Sequence, residues 1–175
     1  MNYLQLLHAI RATCNVVDET ELWVFGSQAI LGTHPQPSPE LTVSLEVDIQ
    51  PKHQVDRLIE VDGVLGEGSP FHELHGFYVH GVSIELATVP SGWQERCIPV
   101  SDPVLTNGRV GFCLEANDLA LSKLAAYRDK DRRFVRRLIS DGLVDCETML
   151  GRVPDLPAMA QEKDQIRTWL QDHQP

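Results

Sequence analysis

The order of apolar and polar positions along the chain outlines strands and helices in alternation. Residues 3–13 (YLQLLHAIRAT) place Leu4, Leu7 and Ile10 at helical spacing, the mark of an amphipathic helix. Glu21–Phe25 (ELWVF) is a short apolar and aromatic run that reads as a buried strand. It ends at Gly26-Ser27, after which Gln28-Ala29-Ile30-Leu31 begins a helix. Residues 33–40 hold three prolines and predict an irregular loop. Leu41–Ile49 alternates, with Val43, Leu45, Val47 and Ile49 on one face of a strand and Thr42, Ser44, Glu46 and Asp48 on the other. A short helix over 53–61, a glycine-rich turn over 62–70 and a hairpin over 71–89 turning at His80-Gly81 follow. In the second strand of that hairpin Ser83, Glu85 and Ala87 share the face opposite Val82, Ile84 and Leu86. A second hairpin over 100–113 turns at Asn107-Gly108. From Asn117 or Asp118, good N-cap residues, one long helix runs to about Ile139 and stops at Asp141-Gly142. Shorter helices occupy 145–151 and 158–171. The pattern predicts an α+β fold with a mixed or antiparallel sheet and helices gathered on it. It forms a single domain over 1–175, with a sheet-containing α/β core over 1–116 and a helical part over 117–175.

Composition narrows the class without changing that outline. A chain of 175 residues with 42% hydrophobic and 23% charged residues is an ordinary globular domain, which excludes disorder, collagen and coiled coil. The first residues show no cationic stretch leading into an apolar run, and no segment approaches the roughly eighteen apolar residues of a membrane span, so no membrane role and a cytoplasmic location are expected. Cys14, Cys97, Cys113 and Cys146 are scattered, with no CxxC pair, and read as reduced, packed thiols. A zinc site on Cys97, Cys113, His72 and His75 is the weaker reading, because His72-Glu73-Leu74-His75 is one residue short of the helical HExxH spacing.

Charge adds an asymmetry. The chain carries a net −10. Residues 118–138 nevertheless hold seven basic residues (Lys123, Arg128, Lys130, Arg132, Arg133, Arg136, Arg137) against three acids, a balance of +4 that leaves −14 for the remainder. An evenly acidic protein would avoid polyanions; this distribution instead sets a cationic helix against an acidic body.

Candidate chemistry enters at Glu46 and Asp48. Two residues apart on a strand, their side chains leave the same face. Paired carboxylates repel unless solvated or bridged by a cation, and hard divalent metals take oxygen-rich sites of this kind. Glu85 has the matching parity on a later strand, so adjacent strands would bring three acids together. Upstream, a strand ending in Gly26-Ser27 before a helix start offers backbone N–H groups and a hydroxyl to a phosphate.

In this order the motifs resemble those of the nucleotidyltransferase superfamily, the polymerase-β-like fold. The likeness lies in Phe25-Gly26-Ser27, then Leu45-Glu46-Val47-Asp48-Ile49, then Ile84-Glu85-Leu86. The segment from Asp118 through Lys123, Tyr127 and Arg128 to Asp131 is similar to a helix of AbiEii-like type IV toxins and related small bacterial nucleotidyltransferases. The segments Gly26-Ser27-Gln28-Ala29-Ile30-Leu31-Gly32 and Gly66-Glu67-Gly68-Ser69-Pro70-Phe71-His72-Glu73 resemble a single-domain branch of that superfamily.

The resemblance implies transfer of a nucleoside monophosphate from an NTP to an RNA acceptor, tRNA among them, or to a protein, with Mg²⁺ or Mn²⁺ as cofactor. It also implies a toxin role with an antitoxin partner. Glu46, Asp48 and Glu85 would bind metal, and Glu85 would serve alternatively as general base. Gly26, Ser27, Lys123, Tyr127, Arg128 and Asp131 would hold the nucleotide, with Lys123 also catalytic, Tyr127 flanking the base and Asp131 orienting Lys123. His72 would stand near the mouth of the site. Two departures from the pattern stand out: glutamate occupies the first acidic position, where the superfamily usually has aspartate, and the stretch from Ser27 to Glu46 is longer than in the toxins. They leave a catalytically inactive nucleotide-binding or protein-interaction module of the same fold as the alternative.

Overall fold

A computed structural model describes residues 1–174. Its centre is a mixed five-stranded sheet in the order β3-β2-β1-β5-β4. Strand β1 (Glu21–Phe25) lies in the middle, antiparallel to β2 (Glu46–Pro51) and parallel to β5 (Val110–Cys113). At one edge β3 (Tyr78–Gly81) runs parallel to β2, and at the other β4 (Ile98–Val100) runs antiparallel to β5. The α+β expectation holds: a 3-10 turn and helix α2 (Ile30–Thr33) follow Gly26, and the second hairpin forms with Asn107 and Gly108 both at positive φ, as a tight turn requires.

Strand parity divides the sheet into two faces. Leu22, Val24, Val47, Ile49 and Val79 are fully buried on one of them. There they meet helix α1 (Tyr3–Val17), which opens with a reciprocal capping box between Asn2 and Gln5 and buries Leu6, Leu7 and Ile10 rather than Leu4. Gly111 permits this contact, because a Cβ there would stand 2.5 Å from Ile10 Cδ1. The opposite parity carries Trp23, Glu46, Asp48, Tyr78, His80 and Phe112, and of these Glu46, Asp48 and His80 line the cleft described below.

Four expectations change. The alternating run 41–49 is a strand only from Glu46. Its first part forms a 3-10 turn at Pro39–Thr42, and Val43 and Leu45 are exposed, at 75% and 49%. The register explains this: β1 ends at Phe25, opposite Asp48, so little lies alongside residues 41–45 to pair with them. The segment 62–70 is not all turn, because a helix, α3 (Leu58–Leu65), runs through Gly63 and leaves only 66–69 as the turn.

The hairpin over 71–89 does not form. Ser69 caps a short helix α4 (Pro70–His75), its hydroxyl accepting from the His72 N–H at 3.2 Å, and Gly76 closes it at φ 69°. Strand β3 then follows as a parallel crossover, and Ile84–Leu86 is a 3-10 turn rather than a strand. Finally, the long C-terminal helix breaks in two. Glu115 caps α6 (Ala116–Ala126), Tyr127 turns the chain at φ 52°, and α7 (Asp129–Ser140) leaves in a new direction. Helices α8 (Cys146–Arg152) and α9 (Ala160–Gln171) complete the C-terminal part as expected.

Residues 82–97 form a strap across the cleft-facing side of the sheet. It leaves β3 at one edge, is held by the Ile84 N–H donating to Gln50 Oε1 at 2.7 Å, and sets Trp93 edge-on to Trp23 at 4.8 Å. Its helical turn α5 (Trp93–Arg96) ends at the buried Asp118 of α6, which accepts from Arg96 at 2.7 Å and from Arg152 of α8 at 2.8 Å. This ion cluster joins strap, α6 and α8, and so fixes where α6 stands over the sheet.

Candidate active site

The cleft between the sheet, the strap and the α6–α7 corner has a volume of about 750 Å³. Gly26, Ser27, Glu46, Asp48, Lys123, Arg128 and Asp131 all line it, so most of the residues singled out in the sequence converge. Two do not. Glu85, expected as the third acid, is exposed on the 3-10 turn and outside the cleft lining, because its segment is no strand. Tyr127 occupies the left-handed corner between α6 and α7, where its ring carries the Arg132 guanidinium at 4.7 Å instead of facing the cleft.

The third position beside the acids belongs to His80, which the sequence reading missed. In the parallel register Glu46 is paired with Tyr78 and Asp48 with His80. Each carboxylate is held by its neighbour: the Tyr78 hydroxyl donates to Glu46 Oε2 at 2.8 Å, and His80 Nδ1 lies 3.0 Å from Asp48 Oδ1. The signal was an alternating Tyr-Val-His on β3 matching Glu-Val-Asp on β2, legible only once those strands are known to be neighbours. Glu46, Asp48 and His80 each offer a donor atom within 4.8 Å of the others, and they are the one such cluster among the described residues. His72 and His75 sit on α4, beyond β3, while Cys97 and Cys113 lie at the opposite edge, so the zinc quartet does not assemble.

Gly26 is the floor of this cluster. It sits at φ 67°, ψ −172°, a conformation essentially confined to glycine, and a Cβ there would stand 1.9 Å from Asp48 Oδ2. The expected result of Gly26→Ala is a loss of about 2–4 kcal/mol in urea unfolding, together with displacement of the Asp48 carboxylate.

The charges are out of balance around Asp48. Burial, reinforced by the adjoining Glu46, outweighs the His80 bond and pushes its pKa up to about 6. Burial acts on Glu46 in the same direction, but the Tyr78 hydroxyl, then Asp48 and His80, overcome it and hold Glu46 below the usual carboxylate range. For His80 the penalty of burial is overcome by Asp48 and Glu46, which raise it. Burial is also the main influence on Tyr78, pushing its hydroxyl up to about 12, so it stays a donor.

Across the cleft, Asp131 is buried at the start of α7 and gathers two cations: Arg128 Nε at 2.5 Å and Lys123 Nζ at 3.7 Å. Burial lowers the Lys123 pKa, against the pull of Asp131 and Asp48. Asp131 and Lys123 thus pair across a helix corner rather than along one helix face. The basic segment stands opposite the acid pair, with Lys123 and Arg128 close enough to Asp48 to feel its charge.

Residues 2–172 match a family model described as a nucleotidyltransferase of unknown function, DUF6036. No curated protein and no solved structure matches the chain.

Proposed function

This chain belongs to the DUF6036 family of nucleotidyltransferases, and from that premise we propose that it moves a nucleoside monophosphate from an NTP to an acceptor hydroxyl within the cleft between Asp48 and Lys123. The observation that carries the reading is the convergence of Glu46, Asp48 and His80 over Gly26, facing Lys123 and Arg128. A donor set of two carboxylates and an imidazole, in which burial and the adjoining Glu46 push Asp48 up, fits a divalent cation, which would relieve the repulsion. Glu46, Asp48 and His80 would hold it, and Mg²⁺ or Mn²⁺ there supplies charge neutralisation of the triphosphate and activation of the acceptor hydroxyl. Ser27 and the Gly26 backbone hold phosphate oxygens at the end of β1. Lys123, kept in place by Asp131, and Arg128 neutralise charge on the leaving pyrophosphate. Apolar side chains of the strap and α6, among them Val82, Leu86 and Leu119, offer an apolar wall to the nucleoside.

RNA is the acceptor the charge distribution favours over protein. Lys130 at the cleft, and Arg133 and Arg136 on the exposed side of α7, have no acidic partner among the described residues, so the helix that enters the site carries unpaired positive charge along its length. Pairing with an antitoxin rests on the AbiEii-like resemblance alone. No helix among the described residues is long and apolar enough to cross a membrane.

The test is incubation with each α-labelled NTP, Mg²⁺ or Mn²⁺, and total RNA or protein. Label is expected in the RNA fraction with the unmodified chain and not with Asp48→Asn. Equal labelling by both would refute the assignment, and nucleotide binding without any label transfer would favour the inactive module.

A further inference from the structure

The segment 66–78 is prominent in the sequence yet contributes no residue to the cleft lining. Its contacts nevertheless run to the site in an unbroken series. The Gly68 N–H donates to His72 Nδ1 at 3.0 Å, the His72 ring packs on the Tyr78 ring at 4.9 Å, and the Tyr78 hydroxyl donates to Glu46 Oε2 at 2.8 Å. Ser69, buried and capping α4, fixes the helix that carries His72.

Glutamate at position 46 makes this series consequential. A glutamate has one more rotatable bond than aspartate, so at a metal position it must be immobilised to be as effective. Asp48 is fixed by the Gly26 floor and by His80. Glu46 has no such floor; its Oε1 lies 3.7 Å from His80 Nδ1, and its Oε2 accepts from the Tyr78 hydroxyl at 2.8 Å. Tyr78 is the in-register neighbour of Glu46 on β3, so the hydroxyl is delivered by a strand pairing rather than by a loop.

We propose that Tyr78, buttressed by His72, is the positioning residue that fixes Glu46 for cation binding, and that the 66–78 segment serves to carry it. This rests on the reading of Glu46 and Asp48 as metal ligands. Tyr78 holds Oε2 and leaves Oε1 free toward Asp48 and His80. Partners of this kind, one bond removed from the ion, typically change metal affinity by about 10–100-fold when removed.

The experiment is direct Mn²⁺ titration, by electron paramagnetic resonance of the free ion, of the unmodified chain and of Tyr78→Phe, Glu46→Asp, the double variant and Asp48→Asn, with thermal melts alongside. Tyr78→Phe keeps the ring packed on His72, so its melting temperature should stay close to that of the parent while Mn²⁺ affinity falls about tenfold or more. Glu46→Asp, too short to reach the hydroxyl, should weaken binding too, and the double variant should be no weaker than the worse single variant, as coupled residues require. Unchanged affinity in Tyr78→Phe, or simple additivity in the double variant, overturns the proposal and leaves the metal reading standing. Mn²⁺ binding that is undetectable in the parent, or indifferent to Asp48→Asn, sinks the metal reading and this proposal with it.

Discussion

Asp48→Asn should abolish nucleotidyl transfer and, at the same time, make the cation-free protein more stable. The loss of activity follows from removing one of two carboxylates: several kcal/mol of transition-state charge stabilisation depend on them, so a fall of about 10³-fold or more is expected. The gain in stability follows from linkage. Asp48 has its folded pKa raised from 3.8 to about 6, so its ionised form is disfavoured by folding. The cost is absent below the unfolded value, grows between about pH 4 and 6 and is complete above that. A shift of this size corresponds to about 3 kcal/mol at most, and solvent screening of a side chain 22% exposed reduces it, leaving a net gain of about 1–2 kcal/mol at pH 8. For a chain of this length that is a rise of about 2–8 °C in melting temperature. At pH 4 the advantage should vanish. Added Mn²⁺ should stabilise the parent and not the variant, because only a site that binds in the folded state shifts the equilibrium. Melts of both proteins at pH 4 and 8, with and without Mn²⁺, check all four corners; a variant less stable than the parent at pH 8 without metal would contradict the burial argument.

The second large effect is expected at a distance from the chemistry. Asp118 is fully buried and accepts from both Arg96 and Arg152, while Arg152 also reaches Glu115 at 2.6 Å. Asp118→Asn leaves two guanidinium groups converging on a neutral amide, a loss of about 3–5 kcal/mol. Much of the whole stability of a domain is at stake, since the total is about 5–15 kcal/mol. The penalty falls chiefly on Arg96, because Arg152 keeps Glu115, so Asp118→Asn combined with Arg96→Met should recover a substantial part of it. Urea unfolding of the single and double variants measures the coupling. Additive losses would show that the cluster is not one electrostatic unit.

Legibility in the sequence followed the range of the interactions involved. Strand β1 and its Gly26-Ser27 end were readable because an apolar run stopped by glycine is a local signal. Glu46 and Asp48 were readable as a pair because parity within one strand is local as well. His80 and Tyr78 were not, because their meaning depends on which strand lies beside β2, and a parallel neighbour comes through a crossover instead of a turn. The hairpin expected over 71–89 has a local signal against it: Ser69-Pro70 followed by Gly76 is a helix start and stop, which leaves β3 a separate strand. Glu85 was lost with that hairpin. The corner at Tyr127 had no such marker, since neither glycine nor proline interrupts the helical pattern there. Asp131, drawn into the interior with Arg128 and Lys123 around it, provides a tertiary reason for the turn that propensity does not contain.

Strand β3 is four residues long and is hydrogen-bonded to β2 alone, its other side having no strand partner. Two of the three donors, Glu46 and Asp48, therefore stand on β2 within the sheet, and the third, His80, on its margin. Segments at such margins open at lower free energy than the domain as a whole, so the site can come apart while the fold persists. An ion bridging Asp48 to His80 would be bound only while β3 is docked, and its apparent affinity is the intrinsic one reduced by the fraction of molecules closed. Occupancy and strand docking are then one equilibrium, and the packing of α3 and α4 behind β3 becomes a setting of ligand affinity as much as of stability.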